Sequence, residues 1–262
     1  MSEQKKLKIS RNQIKWFAMI TMAIDHFGHI FDSEKSQLFQ IITTIMHSIG
    51  RIAFPLFCFL LVDGFLRTKS KKKYFFRLLM LAIMSEIPFN MMFERHFLAP
   101  TYQNTIWTLL LGFIYIWTIS AIEKQNWYKK NLFGGLINLA LAGVLTVIAI
   151  FGRTDYSAFG VWFIIIYYEI SKRDCRLWKT RLRMGIIAYL CGCILLCFYS
   201  IDELAALPGL LLLVFYAPEK KEKPIPTWLG YGFYPMHILL IFLLSLILYV
   251  ATKGLIGDIF IM

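Results

Sequence analysis

Apolar residues in this chain arrive in long blocks, and polar residues arrive in short runs between them. The blocks are longer than strands and show no two-residue alternation, so they predict helices. A helix needs about 20 mostly apolar residues to cross a bilayer. Nine stretches approach that length: 14–31, 48–66, 74–93, 105–122, 132–151, 156–170, 184–200, 203–217 and 228–251, the sixth and eighth being short. Residues 38–47 either lengthen the second span or form a helix on the outer surface, and Gly50 and Pro55 favour a break in the long 38–66 stretch. The pattern predicts an all-α, polytopic helical membrane protein. Residues 1–262 read as one integral-membrane domain behind a short N-terminal tail, 1–13.

Charge tests this span count. The N-terminus (Lys5, Lys6, Lys8, Arg11, Lys15) and the loops "RTKSKKK", "EKQNWYKKN", "SKRDCRLWKTRLR" and "PEKKEKP" should share a side, and together they carry 22 Lys and Arg. The opposite set carries only Lys35, Arg95, Arg153 and Lys253. The positive-inside rule then places the N-terminus in the cytoplasm and the C-terminus outside. Composition agrees, with 58% hydrophobic residues, 17% charged and a mean hydropathy of +0.60. Soluble domains hold about 45–50% apolar and about 25% charged residues. The net charge of +12 is divided among short loops, so it serves topology and argues against a nucleic-acid partner. No small-residue cleavage site follows the basic start, so no cleaved signal peptide is expected. The five cysteines show no zinc or redox spacing; Cys175 lies in a basic loop and the others inside spans. The loops are too short to hold a catalytic site alone, so any chemistry lies among the spans and their rims.

The first span contains "ITMAIDHFGHIF", which sets Asp25, His26 and His29 among residues that favour lipid. A charge at bilayer depth is costly unless it faces the bundle interior and finds a partner. Arg51, Glu86 and His237 lie at similar depth, and His47 lies near the outer rim. Glu86 is the expected partner of Arg51, in an ion pair that locks two helices. Adjacent helical residues point about 100° apart, so Asp25 and His26 do not chelate one another but both can face a crowded interface. An imidazole is the usual general base, and a carboxylate can orient it; the structural alternative is a satisfied polar pair between helices. A metal site from His26, His29 and His47 lacks a clear third ligand at a known spacing, and none is expected. Lys15 precedes His26 by eleven residues, just over three turns, which sets both on one face about 16 Å apart along the axis. That arrangement suits a long anionic ligand such as an acyl-coenzyme A, although topology alone also predicts a lysine there.

The strings "IKWFAMITMAIDHFGHIF", "IGRIAFPLFCFLLVDGFLRT", "KKKYFFRLLMLAIMSEIPFN", "WTLLLG", "TDYSAFGV" and "WLGYGFYPMHILLI" resemble, in this order, the TraX family of membrane proteins, over about residues 14 to 245. The resemblance implies acetyl transfer, because the family's namesake acetylates the N-terminus of a conjugative pilin. The family also looks related to the wider membrane acyltransferases, including the type-three acyltransferases. Those share a basic residue, ten intervening residues and a catalytic histidine in an early span, a pattern that Lys15 and His26 match. Their aromatic-rich closing motif is similar to "YGFYPMH" here, which places His237 at the late histidine.

The expectation is a multi-pass acetyltransferase of a bacterial inner membrane, with acetyl-CoA from the cytosol as acyl donor. His26 is expected to act as general base or transient acetyl carrier, with Asp25 tuning it. Arg51, or a nearby backbone amide, would stabilise the oxyanion. Lys15, Lys71, Lys72, Lys73 and Arg77 would hold the coenzyme's phosphates. Glu86, His237 and Asp155 are further candidates; Asp155, in "GRTDY", also reads as a cap of the sixth helix. Besides the lipid bilayer and acetyl-CoA, the partner is an acceptor that the sequence leaves open: a peptide amine, a glycan hydroxyl or a lipid head group. Two other classes compete. One is a transporter or flippase relaying protons or ions through the buried charges, which the odd span count and the lack of a visible repeat disfavour. The other is a structural membrane subunit whose charges only pair helices.

Overall fold

A computed structural model describes residues 8–32, 36–125, 127–128, 132–172, 178–217, 220, 222–223 and 225–253. Lys5, Lys6, Lys35, Lys129, Lys130, Arg173, Cys175, Arg176, Lys221 and the C-terminal tail lie outside them. The described residues form helices: α1 (Arg11–Gly28), α2 (Gln37–Gly50), α3 (Ala53–Arg67), α4 (Lys71–Phe93), α5 (Thr105–Ile122), α6 (Leu132–Phe151), α7 (Ser157–Ser171), α8 (Trp178–Cys197), α9 (Gly209–Val214) and α10 (Thr227–Lys253). One-turn and two-turn 3₁₀ segments, His29–Phe31 and Ile201–Ala206, follow α1 and precede α9.

Local chemistry sets the starts. Ser10 and Gln13 close a reciprocal capping box at α1, with the Gln13 N–H donating to Ser10 Oγ and the Ser10 N–H donating to Gln13 Oε1. Asn104 caps α5 by accepting the Ile106 N–H at 3.0 Å. The second span is broken at residues 51–52. Pro55 has no N–H to give the Arg51 carbonyl four residues back, so the helix restarts as α3.

Among the described residues, five segments are long and apolar enough to cross a membrane: 37–67, 71–93, 105–122, 132–151 and 227–251. The helix α1 has 18 residues and carries Arg11, Lys15 and Asp25 within its length. Two further apolar helices, Ser157–Ser171 and Arg183–Cys197, are shorter. The expected span at 203–217 is instead a 3₁₀ segment followed by the six-residue α9. Pro208 lies within its apolar run, and Asp202 and Glu203 stand at its start, so one continuous helix does not form.

Helix α3 runs through the middle, packed on α1, α5, α7 and α8, and eleven of its fifteen residues are buried. Helices α4 and α10 pack together beside α1 and α5, while α6 covers α5 and α7 from outside. Exposed apolar residues such as Leu139, Val147, Leu240 and Ile247 stand where hydrocarbon would cover them. This is a multi-pass helical membrane protein.

The two ends of the bundle are tied differently. At the end that carries the basic loops, Ile9 pairs with residues 215–217 through two backbone hydrogen bonds of 2.8 Å. Asp63 joins that end by accepting from both Arg11 and Arg67. At the far end Gln103 pairs with the 153–155 turn, through bonds of 3.0 Å in each direction. These ties hold the two ends of the bundle.

Candidate active site

A cavity of about 280 Å³ runs between α1, α3, α4, α5 and α10. Arg11, Lys15 and Tyr231 line it at the basic end. Met19, Met22, Leu78, Ile106 and Leu109 line its middle, and Asp25, His26, Asp155, Tyr156 and Tyr234 its far end. The eleven-residue spacing on α1 therefore sets Lys15 and His26 into one channel.

His26 is buried, and its Nδ1 lies 2.8 Å from Nε2 of His237 on α10. Nδ1 of His237 lies 2.7 Å from the Phe233 carbonyl oxygen. A carbonyl oxygen only accepts, so His237 carries its proton on Nδ1 and presents a bare Nε2. His26 then donates from Nδ1, which leaves the lone pair of its own Nε2 free. A fixed tautomer with one free nitrogen is what a general base requires. Phe93 and Tyr234 hold the ring edge-on, with centroids 5.6 and 6.3 Å away.

The partner of His26 is thus His237 and not Asp25. Asp25 lines the same cavity but accepts, at 2.8 Å, from Nδ1 of His47 on α2. Adjacent side chains diverge around a helix, which sends the carboxylate to one neighbour and the imidazole to another.

Arg51 is not paired with Glu86. Its Nη1 bonds the fully buried Glu203 at 3.2 Å, across 152 residues of sequence, and Arg51 does not line the cavity. Glu86 sits instead at the start of α5, where it accepts from the Trp107 indole at 2.6 Å and from Asn104. Asn104 also donates to the Ala82 carbonyl, so it staples α5 to α4.

Asp155 does not cap α7, whose first turn has no side-chain cap. It accepts from the Tyr102 hydroxyl at 2.6 Å, from the Tyr156 N–H at 2.9 Å and from the Thr105 hydroxyl. Burial raises its carboxyl above the usual range, against the opposing pull of those donors. The next two residues, Tyr156 and Ser157, have φ of 59° and 43°, in the left-handed region that costs non-glycine residues energy. Tyr156 is held there by stacking on Phe54, with ring centroids 3.8 Å apart.

A second, open cavity of about 490 Å³ meets the first at Arg11, Tyr74 and Tyr231. Its wall includes Arg67, Lys69, Lys73 and Arg77, so this vestibule is strongly basic. Tyr231 at the neck lies beneath two cations, the Lys15 ammonium at 5.6 Å and the Arg77 guanidinium at 6.0 Å. Arg77 and Lys15 thereby share the Tyr231 ring, and Lys73 lies with Arg77 and Tyr231 on the vestibule wall. Lys71 is not among them: its ammonium donates to the Phe65 and Thr68 carbonyls, closing the end of α3. Lys72 lines neither cavity. Sequence reasoning passed over Arg11, Arg67 and Lys69 because each is explained by topology alone. The spacing of Arg11 and Lys15, one helical turn apart, was the available signal.

A family model described as TraX protein matches residues 10–245. The chain belongs to the TraX family. The matched region takes in every residue lining both cavities of this TraX-family protein. It is also similar to a probable fimbrial assembly protein, FimC of serogroup H1, from Dichelobacter nodosus. The two are 25% identical over 90% of this chain and 96% of that protein. No solved structure matches.

Proposed function

We propose that this protein is a membrane acetyltransferase that takes the acetyl group of acetyl-CoA from the cytoplasmic side and transfers it to an amine or hydroxyl acceptor. The observation that carries this reading is a basic vestibule and an apolar channel that share Arg11, Tyr74 and Tyr231 in their walls, the channel being lined at its far end by His26. Ligand pockets usually occupy about 300–1,000 Å³, so the inner cavity has room for an acyl-bearing arm and not for a whole coenzyme. The nucleotide and its phosphates would stay in the vestibule, against Arg11, Lys73, Arg77 and Lys15. Met19, Met22 and Leu78 would line the arm and keep water from the thioester.

In this reading His26 Nε2 takes the proton of the acceptor as its nitrogen or oxygen attacks the thioester carbonyl. The tetrahedral adduct collapses, the carbon–sulfur bond breaks, and the imidazolium returns its proton to the departing thiolate. His237 serves as a positioning residue: its Nε2 accepts the His26 Nδ1–H, and that bond strengthens while His26 is charged. The name of the fimbrial assembly relative and the family's link to pilin favour a pilin-type subunit as the acceptor.

The test uses protein in lipid nanodiscs with acetyl-CoA labelled in the acetyl group. Coenzyme A release and label transfer to cell-extract fractions are followed. His26→Ala should lose about 10²–10⁴-fold in turnover, the usual contribution of a general base. His237→Ala should lower kcat and leave the KM for acetyl-CoA near the wild-type value. A wild type that neither binds nor turns over acetyl-CoA would overturn the proposal and direct attention to proton or ion relay by the histidine pair.

A further inference from the structure

At the far end of the bundle a second group of titratable side chains lies outside the proposed relay. Asp32, just past α1, accepts from Nδ1 of His29 at 2.6 Å and from Nε2 of His47 at 2.9 Å. His47 Nδ1 lies 2.8 Å from the Asp25 carboxylate, and the His29 and His47 ring centroids are 4.5 Å apart. One ligand atom from each of Asp25, His29 and His47 falls within 4.8 Å of the others. The chain keeps two positions free of side chains so that these groups meet. A Cβ at Gly28 would stand 3.2 Å from the His47 ring, and one at Gly50 would stand 2.3 Å from Cβ of Asp25.

We propose that Asp25, His29 and His47 bind a first-row divalent cation of the zinc class, with Asp32 orienting both imidazoles. Metal-bound histidines characteristically give their second ring N–H to a carboxylate, and Asp32 already holds one nitrogen of each ring. The other nitrogen of each ring remains for the cation, beside the Asp25 oxygen. Two imidazoles and one carboxylate suit zinc better than magnesium or calcium, which prefer all-oxygen shells. Zinc bonds of about 2.0–2.1 Å set tetrahedral ligand atoms roughly 3.3 Å apart. The His47–Asp25 pair, at 2.8 Å, opens a little to admit the ion, and the remaining ligand distances, all within 4.8 Å, close toward that value. Three protein ligands leave a fourth position for water, the arrangement of open zinc sites. Binding displaces the proton that the His47 nitrogen otherwise shares with Asp25, so protons are released as metal enters. This reverses the sequence expectation of no metal site, because the carboxylate that completes the set was assigned to His26.

The experiment needs no acyl donor. Chelator-treated, full-length protein without a histidine tag is placed in nanodiscs and titrated with Co²⁺ alone. The expected result is one Co²⁺ per chain, visible ligand-field bands of a low-coordinate N/O site, and displacement by Zn²⁺. His47→Ala and His29→Ala should abolish the bands, and His29, whose side chain is 33% exposed against 21% for His47, is the variant less able to disturb folding. Asp32→Asn should weaken binding about 10–100-fold, as loss of an outer-shell carboxylate does. His96→Ala and His26→Ala should retain the bands. Absence of saturable binding, or bands that survive His29→Ala, overturns the proposal.

Discussion

Asp155 shows how single residues hold the far end of the cavity together. Its carboxylate gathers hydroxyls from Tyr102 and Thr105 and the N–H of Tyr156, which joins the α5 start to the strained turn before α7. Burial nevertheless lifts its pKa, so the folded protein holds this proton at pH values where the unfolded chain, with a carboxyl near about 3.9, has released it. A folded state that binds more protons than the unfolded one loses stability as pH rises. The Asp155 contribution therefore declines from about pH 4 upward, through its folded pKa. Asp155→Asn removes that titration while keeping an oxygen for the donors. Thermal unfolding in detergent should show the variant gaining on wild type as pH rises. A Tm difference that stays constant from about pH 4 to 8 would mean that the carboxyl is ionised alike in both states.

Helices in this protein meet at small residues, as membrane helices do where no hydrophobic drive separates helix from lipid. Gly192 of α8 is such a point, since a Cβ there would stand 2.4 Å from the Phe163 ring of α7. Gly192→Ala should force the ring or the helix aside, at a cost of about 1–3 kcal/mol. Gly143 of α6 has nothing within 4 Å of the same construction, so Gly143→Ala should be neutral or gain up to about 1 kcal/mol from helix propensity. Chemical denaturation of both variants in one detergent separates these outcomes, and equal losses would refute the packing argument. The same contrast explains what could be read in advance. Helices α5 and α6 occupy the apolar blocks 105–122 and 132–151 because burial in lipid needs only a long apolar run. The shared channel of Lys15 and His26 was legible for a related reason, because helical spacing is local. Partner choice was not legible: Arg51 reaches Glu203 and His26 reaches His237 over 152 and 211 residues. Nor did hydropathy reveal that residues 203–217 fold as a 3₁₀ segment and a short helix, since mean apolarity hides Glu203 at the start of the run and Pro208 within it.

Across the whole molecule, charge is distributed along the direction in which the proposed chemistry would run. The alternation of spans along the sequence assigns the N-terminal segment and the loops that hold 22 of the 28 Lys and Arg to one side. Among the described residues, the basic vestibule is lined by Arg67, Lys69 and Lys73 of that set and by Arg77 at its border. The positive-inside rule leads to the expectation that this end faces the cytoplasm, the side from which the proposed acetyl-CoA would enter, with the histidines toward the other face. Vestibule cations would act on phosphates about 16 Å along α1 from His26, so they should supply uniform binding and not transition-state stabilisation. Removing one should then raise KM and spare kcat. A hydrogen bond to a charged group contributes about 1.5–3 kcal/mol, so Lys73→Gln and Arg77→Gln should each raise the KM for acetyl-CoA about ten-fold or more. Neither substitution empties the space between helices, and both side chains border an open cavity, so folding should be preserved. Added salt should weaken wild-type binding more than that of the double variant, because fewer phosphate contacts remain to be screened. Steady-state kinetics at two ionic strengths measures both effects at once. If kcat falls while KM holds, the vestibule is coupled to the chemical step and the coenzyme does not lie along the path described.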